Sequence, residues 1–275
     1  FMRAAPTGKR VAIVGGGPAG LSCAHRLAML GHDAVVFEPK EKLGGLNEYG
    51  IAAYKTPDDF AGREVDFILG IGGIEVRNGV ALGRDVTLKK LRAEYDAVFL
   101  GFGLAGVNGL GLADEKLEGV VDAVDYIAQL RQAPDKAKLP VGRRVIVIGG
   151  GMTAIDIAVQ SRALGADEVT IVYRRGQEQM NASRYEQEFA QTRGVGVRTW
   201  LMPRSLIGSG GRLRAVEFEH TRLSADGKLT GTGQTYSLDA DVVFKAIGQN
   251  VLWERLADTA EIVALSKDRI AVDAD

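Results

Sequence analysis

Two glycine clusters in this chain have the spacing of a turn that cradles phosphate: Gly15-x-Gly17-x-x-Gly20 and Gly149-x-Gly151-x-x-Ala154. In each, the first glycine (Gly15, Gly149) permits a tight turn. The second (Gly17, Gly151) lets backbone N–H groups approach a pyrophosphate, and the third position (Gly20, Ala154) lets the following helix pack close to its strand. Pro18 and Ala19 enter the first helix, and Thr153, after Met152, opens the second. A pyrophosphate resting there would meet unpaired N–H groups and the positive end of the helix dipole. Ala24 and Gly31 follow the first turn at the offsets at which Ala158 and Gly165 follow the second. The pattern predicts two dinucleotide sites.

The residues closing the next strand differ. Glu38 lies 18 residues beyond Gly20, at the place of a ribose-hydroxyl acceptor. After the second turn, VTIVYRR puts Arg174 at the strand end, followed by Arg175. A carboxylate repels a 2′-phosphate, whereas a guanidinium pairs with it. The first site is therefore expected to take the AMP half of FAD and the second NADPH, with NADH left open. The implied chemistry is hydride transfer from nicotinamide to flavin. The cofactors perform it and the protein aligns them, so no catalytic side chain is assigned.

These turns need strands and helices around them. Arg10–Val14, residues 32–38, Arg144–Ile148, Glu168–Tyr173 and residues 241–246 read as strands; residues 18–30, 56–69, 121–131 and 153–164 read as helices. Residues 74–76 and Ala97–Leu100 add strands, residues 197–201 and 213–222 alternate like antiparallel ones, and DGK at 226–228 is a hairpin turn. The expected fold class is α/β, with two Rossmann-like, doubly wound domains of the glutathione-reductase type, the second inserted in the first. Residues 1–104 plus 249–275 would form the FAD-binding domain, and 105–248 an NAD(P)H-binding domain able to fold by itself.

The 275 residues carry a formal net charge of −1, which gives no electrostatic reason for a nucleic-acid or membrane partner. No apolar run approaches the ~20 residues of a membrane span, and FMRAAPTGKR lacks a signal-peptide core. With Cys23 the only cysteine, no CxxC pair, zinc site or iron–sulfur ligand set can form within the chain, and a reducing, cytoplasmic setting fits. Cys23 reads as a packing residue, the three histidines form no metal or triad pattern, and Asp156 reads as complementing its helix dipole.

The succession GGGPAG, FEP, LGGL, YKTP, GGGMTAID, VYRR and KAIGQ resembles the pyridine-nucleotide/flavin module of two relatives. One is the glutamate synthase small subunit; the other is dihydropyrimidine dehydrogenase, above all the flavin subunit of the bacterial enzyme. LGGLNEYGIAAYKTPDD and YRRGQEQMNASRYEQE lean towards the pyrimidine branch. The resemblance implies that Gly17, Pro18 and Ala19 cover the FAD pyrophosphate and Glu38 the ribose. Gly45, Leu46 and Lys55 would approach the flavin, and Leu82 the adenine. Gly151 to Ala154, with Arg174, Arg175 and Asn181, would hold NAD(P)H, and Ala246, Ile247 and Gly248 would line the return beside the nicotinamide. From the residues alone, Lys55 also reads as a solvated lysine.

In that group electrons pass from flavin to iron–sulfur clusters, which here are expected only outside this chain segment or in a partner. The partner would be an iron–sulfur/FMN-containing or glutamate synthase-type large subunit. The group also carries a cysteine-rich segment before the first turn and a late Ala-Gly-Gly-Asp-like turn on the flavin phosphates. Here the text opens nine residues before the first strand and closes at VDAD, so a core piece with weakened FAD retention is expected. The other readings are a free-standing ferredoxin–NAD(P) reductase and a non-catalytic nucleotide-binding fragment.

Overall fold

Val11, Ala12, Ile13 and Val14 are all buried, so β1 (Arg10–Val14) needs cover on both faces. The computed structural model, which describes residues 1–253, 265–266 and 269–271, supplies that cover. By contact the chain divides into two units. One comprises Phe1–Tyr49, Thr56–Gly106 and Gln249–Asp275; the other comprises Gly50–Lys55 and Val107–Gly248.

In the first unit β1 leads into α1 (Pro18–Met29) and pairs in parallel with β2 (Asp33–Glu38). The short helix α2 (Leu46–Tyr49), α3 (Phe60–Leu69), β3 (Ile74–Asn78), α4 (Leu88–Glu94) and β4 (Ala97–Leu100) follow, giving a parallel sheet of order β3-β2-β1-β4. Successive strand residues alternate between two cores. Val11, Ile13 and Val36 pack with Leu21 and Ala24 of α1, while Ala12, Val14, Val35 and Phe37 pack with Leu91 and Tyr95.

A two-residue strand β5 (Gly106–Val107) spans the boundary. The second unit then runs β6 (Val120–Asp122), α5 (Ala123–Gln132), β7 (Arg144–Ile148), α6 (Met152–Ala163), β8 (Glu168–Tyr173), α7 (Arg184–Thr192) and β9 (Val195–Thr199). It continues through β10 (Leu201–Ser209), β11 (Arg212–Leu223), β12 (Leu229–Asp239) and β13 (Val242–Lys245). Its parallel sheet has the order β6-β13-β7-β8-β9. The three helices cover one face, through Ile127, Ile155, Ile157 and Ala190. The antiparallel sheet β10-β11-β12 covers the other, through Leu206, Val216 and Phe218. In both units the fingerprint strand sits where the strand order reverses, with its sequence neighbour on one side and a returning strand on the other. In open α/β sheets ligands bind at that reversal, beyond the carboxyl ends of the strands.

The structure departs from the sequence expectations in particular places. The helix expected over 56–69 starts at Phe60, because Asp58 and Asp59 take left-handed φ angles of 56° and 53°. The strand expected over 197–201 is split. Val195–Thr199 joins the parallel sheet, Leu201 opens the antiparallel one, and Trp200 between them has φ 60°. Helix α7 follows an unread cap: the Ser183 side chain accepts from the Glu186 N–H. Residues 50–55, expected in the FAD-binding domain, belong to the second unit, and the expected boundary at 104/105 falls at 106/107. Within the expected return over 249–275, Leu265–Ser266 pairs antiparallel with Arg269–Ile270; residues 254–264, 267–268 and 272–275, which include the whole VDAD end, lie outside the described residues.

Candidate functional site

The two glycine turns are built alike. Gly15 (φ 105°) donates its N–H to the Phe37 carbonyl at 2.8 Å, and Gly149 (φ 151°) donates to Val172 at 3.1 Å. A Cβ on Gly15 would collide with the carbonyl oxygen of Gly101, which follows β4; one on Gly149 would collide with that of Ala246, which follows β13. Each turn is thus wedged against the returning strand, and only glycine fits. Gly20 has the same constraint, since a Cβ there would strike the Gly15 carbonyl, whereas Ala154 is accommodated and fully buried. Gly17 and Gly151 are the N-caps of α1 and α6, and neither helix has a side-chain cap. Their first N–H groups stay available to an anion. Thr153 is half-buried and Met152 is 42% exposed at this helix mouth.

The ladders fix which residues correspond. Val14 pairs with Phe37 as Ile148 pairs with Val172, so the counterpart of Glu38 is Tyr173. Arg174, placed at that position from the sequence, lies one residue further on. The correction has a chemical content. Glu38 is buried, and its carboxylate accepts from the Gly16 N–H at 2.8 Å and the Lys40 N–H at 3.0 Å. It therefore braces the first turn, with acceptor capacity remaining on both oxygens. In the second unit the Tyr173 ring occupies the equivalent space: a Cβ on Gly150 would strike it. Tyr173 Oη donates to the Gln179 carbonyl at 2.9 Å, and the Ala182 N–H donates to the Gly150 carbonyl at 2.9 Å. That second bond brings exposed Asn181 beside the turn.

Arg174 is exposed and Arg175 half-buried. Among the described residues neither guanidinium has a partner, although both backbone carbonyls are used, by Thr221 Oγ1 at 2.7 Å and the Trp200 N–H at 3.1 Å. On the other side of the reversal, Ala246 donates its N–H to Ile148 at 2.8 Å, and Gly248 (φ 99°) and Ile247 accept from the Asn108 backbone and side chain at 3.1 and 3.3 Å. Lys245, just before them, pairs with Asp122 at 3.0 Å and Glu115 at 3.2 Å. Burial pulls the Lys245 pKa down, but the two carboxylates outweigh it and hold the ammonium above its ordinary range.

In the first unit Gly45 lies against the fingerprint: a Cβ on it would meet Gly17, and the Gly44 N–H donates to the Gly16 carbonyl at 2.8 Å. Leu46 is 55% exposed there, and Leu82 packs against the core that holds Phe37. Lys55 is elsewhere. Its ammonium pairs with Asp156 of α6 at 2.6 Å and Glu186 of α7 at 3.0 Å within the second unit. Asp156, expected to serve the helix dipole, lies past the first turn of α6, is buried, and also accepts from the Ala52 N–H at 3.1 Å and Tyr54 Oη at 3.4 Å. Gln160 accepts from Ala53, and Arg131 donates to the Ile51 carbonyl. The segment 50–55 is thereby strapped across the helices. Burial raises the Tyr54 phenol pKa, and the neighbouring Asp156 and Glu186 charges raise it further; for Lys55 burial works downward and the same two carboxylates prevail. Nothing in a single sequence could link Lys55 to a helix a hundred positions away.

Cys23 is half-buried, and burial raises its thiol pKa, the opposite of what a reactive thiolate needs. No helix among the described residues is long and apolar enough to cross a membrane.

The family model described as pyridine nucleotide-disulphide oxidoreductase matches residues 9–275. The chain belongs to this family. The oxidoreductase family member is 36% identical over 265 residues to the glutamate synthase [NADPH] small chain of Escherichia coli K12, covering 90% of this chain and 56% of that one. It is 33% identical over 255 residues to the NAD-dependent dihydropyrimidine dehydrogenase subunit PreT of Salmonella typhimurium LT2, covering 93% and 57%. It thus spans little more than half the length of these curated relatives. In fold it is similar to FprA from Mycobacterium tuberculosis, with a TM-score of 0.76 at 21% identity over 88% of this chain and 71% of that one. Thioredoxin reductase of T. acidophilum gives a TM-score of 0.69 at 19% identity, over 97% and 86%.

Proposed function

We propose that this oxidoreductase family member is the electron-input unit of a larger enzyme, with FAD held by the first unit and NAD(P)H by the second. One observation carries the reading. The two turns share their backbone geometry yet differ at the end of the second strand, with a carboxylate bracing one and two unpartnered arginines flanking the other. Both turns fit a dinucleotide: Gly17 and Gly151 leave the space at the helix mouths free of any side chain, and both mouths are uncapped. Gly17, Pro18, Ala19 and Gly20 would face the flavin pyrophosphate, with the free acceptor capacity of Glu38 towards the ribose and Gly45 and Leu46 beside the turn. Gly151 to Ala154 would face the nicotinamide pyrophosphate, with Arg174, Arg175 and Asn181 on the adenosine side and Ala246 to Gly248 on the nicotinamide side. A bound flavin supplies the step that a nicotinamide lacks, accepting a hydride and releasing electrons singly.

The onward acceptor is proposed to be an iron–sulfur-containing partner or segment, of the FMN-containing or glutamate synthase-type large-subunit kind. The relatives named as small chain and subunit support this over a free-standing ferredoxin–NAD(P) reductase. The test is optical. Protein at equilibrium with added FAD should bind it, measured by dialysis, and NADPH should bleach the bound flavin band anaerobically; protein that binds no FAD at equilibrium refutes the reading. Arg174→Glu should slow bleaching by NADPH far more than by NADH, and equal slowing would remove the 2′-phosphate role.

A further inference from the structure

Trp200 is out of place as a loop residue. Its φ of 60° is the left-handed conformation that side chains with a Cβ seldom adopt, and a bulky aromatic is among the least expected residues there. The conformation is pinned from both sides: the Trp200 N–H donates to the Arg175 carbonyl at 3.1 Å, and the Trp200 carbonyl accepts from the Thr221 N–H at 2.9 Å. Thr221 Oγ1 closes the knot on the Arg174 carbonyl at 2.7 Å. A glycine or asparagine would satisfy the same backbone at lower strain, so the backbone alone does not account for an indole.

The ring is also unused. Trp200 is half-buried, and among the described residues its indole has no ring stack, no cation over its face and no hydrogen-bond partner. Its place is specific. Tyr173 of β8 pairs with Thr199 of β9, so Arg174 and Trp200 are the next residues beyond the carboxyl ends of two adjacent strands. Those strands lie on the adenosine side of the reversal at β7. An aromatic face without a partner, beside two guanidinium groups without partners, is the complement of a purine that carries a phosphate on its ribose.

We infer that Trp200 is the adenine platform of the second unit, stacking the base whose 2′-phosphate is read by Arg174 and Arg175. This rests on the nucleotide reading of that unit. It also gives the strain a purpose: the same backbone knot that fixes the two arginine carbonyls fixes the indole beside them.

The chain has two tryptophans, so a Trp253→Phe background leaves Trp200 as the sole indole emitter. In that background, titration with 2′,5′-ADP, which has the adenine and 2′-phosphate but no nicotinamide, should quench the emission, because a stacked purine deactivates the excited indole. Trp200→Gly keeps the left-handed backbone available and removes the ring; it should raise the 2′,5′-ADP dissociation constant about tenfold, with Trp200→Phe recovering most of the loss. If calorimetry finds 2′,5′-ADP bound equally by wild type and Trp200→Gly, and the emission is unmoved, the platform is refuted while the nucleotide site stands. If wild type binds neither 2′,5′-ADP nor 5′-AMP, the nucleotide reading falls and the platform with it; if it binds 5′-AMP alone with the emission unmoved, the platform is refuted and the site stands. The quenching measurement leaves Trp200 itself intact, so it decides the matter even where a substitution there unfolds the unit.

Discussion

Lys55→Met removes one cation from between two acids while keeping most of the chain length. The side chains of Lys55, Asp156 and Glu186 are 22%, 6% and 14% exposed, so the cluster is more interior than surface. Deleting one partner of a buried ion pair costs about 3–5 kcal/mol, because the remaining charge is left desolvated and uncompensated. The partial exposure of the lysine places the loss at about 3 kcal/mol, which at ~3 °C per kcal/mol lowers the melting temperature by about 9 °C. The pH dependence carries the sharper signature. In wild type the Lys55 pKa is raised, so its contribution is fully present below the ordinary ammonium value and lost only as the pH rises through the folded one. In Lys55→Met that titrating ammonium is gone and Asp156 and Glu186 face each other without a cation. The deficit against wild type should therefore be full at about pH 8 and shrink at about pH 11, where wild type begins to lose the same contribution. Urea unfolding followed by circular dichroism at both pH values measures this, and adding Glu186→Gln should restore roughly half of the loss. A deficit below about 1 kcal/mol that ignores pH would mean a solvated surface pair, and the strap would have to be held by other contacts.

Gly149→Ala should abolish nucleotide binding and destabilise the second unit, since the new Cβ meets the Ala246 backbone and cannot relax as a flexible side chain would; a well-folded variant with unchanged NADPH affinity would show that the turn is not wedged. Glu38→Ala should reduce flavin retention measured by absorbance after desalting, because it removes both the Gly16 N–H acceptor and the ribose acceptor; full retention would limit Glu38 to neither role. For Asp241 burial pushes the carboxyl pKa up, but the Arg143 and Arg144 N–H groups and the Arg144 guanidinium outweigh it and hold the pKa low. That contribution is complete above the ordinary carboxylate pKa and lost as the pH falls through the folded one, so Asp241→Asn should flatten the acid limb of the stability curve; an unchanged limb would discharge Asp241 from it.

The glycine turns were legible in the sequence because the backbone leaves no alternative at Gly15, Gly20 and Gly149: their types are set by collisions that any side chain would cause. The strands around them were legible for a related reason, as runs buried on both faces must be apolar throughout. The alignment of Glu38 with Arg174 failed because VYRR does not show where its strand stops; the ladder ends β8 at Tyr173 as it ends β2 at Glu38, which leaves Arg174 one residue beyond. Residues 50–55 were misassigned because their partners, Asp156, Gln160 and Arg131, are distant in sequence and ordinary in type. Helix α7 carried a readable signal, Ser183-x-x-Glu186 before a helical stretch, whereas the left-handed Asp58, Asp59 and Trp200 carried none.

The strap has a practical consequence for anyone cutting this protein apart. A fragment of residues 107–248 is contiguous and includes every strand of the second parallel sheet, so it looks like the natural piece to express. It would nonetheless carry the Asp156 carboxylate and the Gln160 amide oxygen without the donors that Ala52, Ala53, Tyr54 and Lys55 provide. The unit is discontinuous, and its missing six residues are embedded in the gene for the other half. Transplanting it intact requires grafting 50–55 as a tethered peptide or replacing Asp156 and Gln160 with apolar residues of similar volume. An unmodified excision should give a product that aggregates or melts early, for reasons that have nothing to do with its nucleotide.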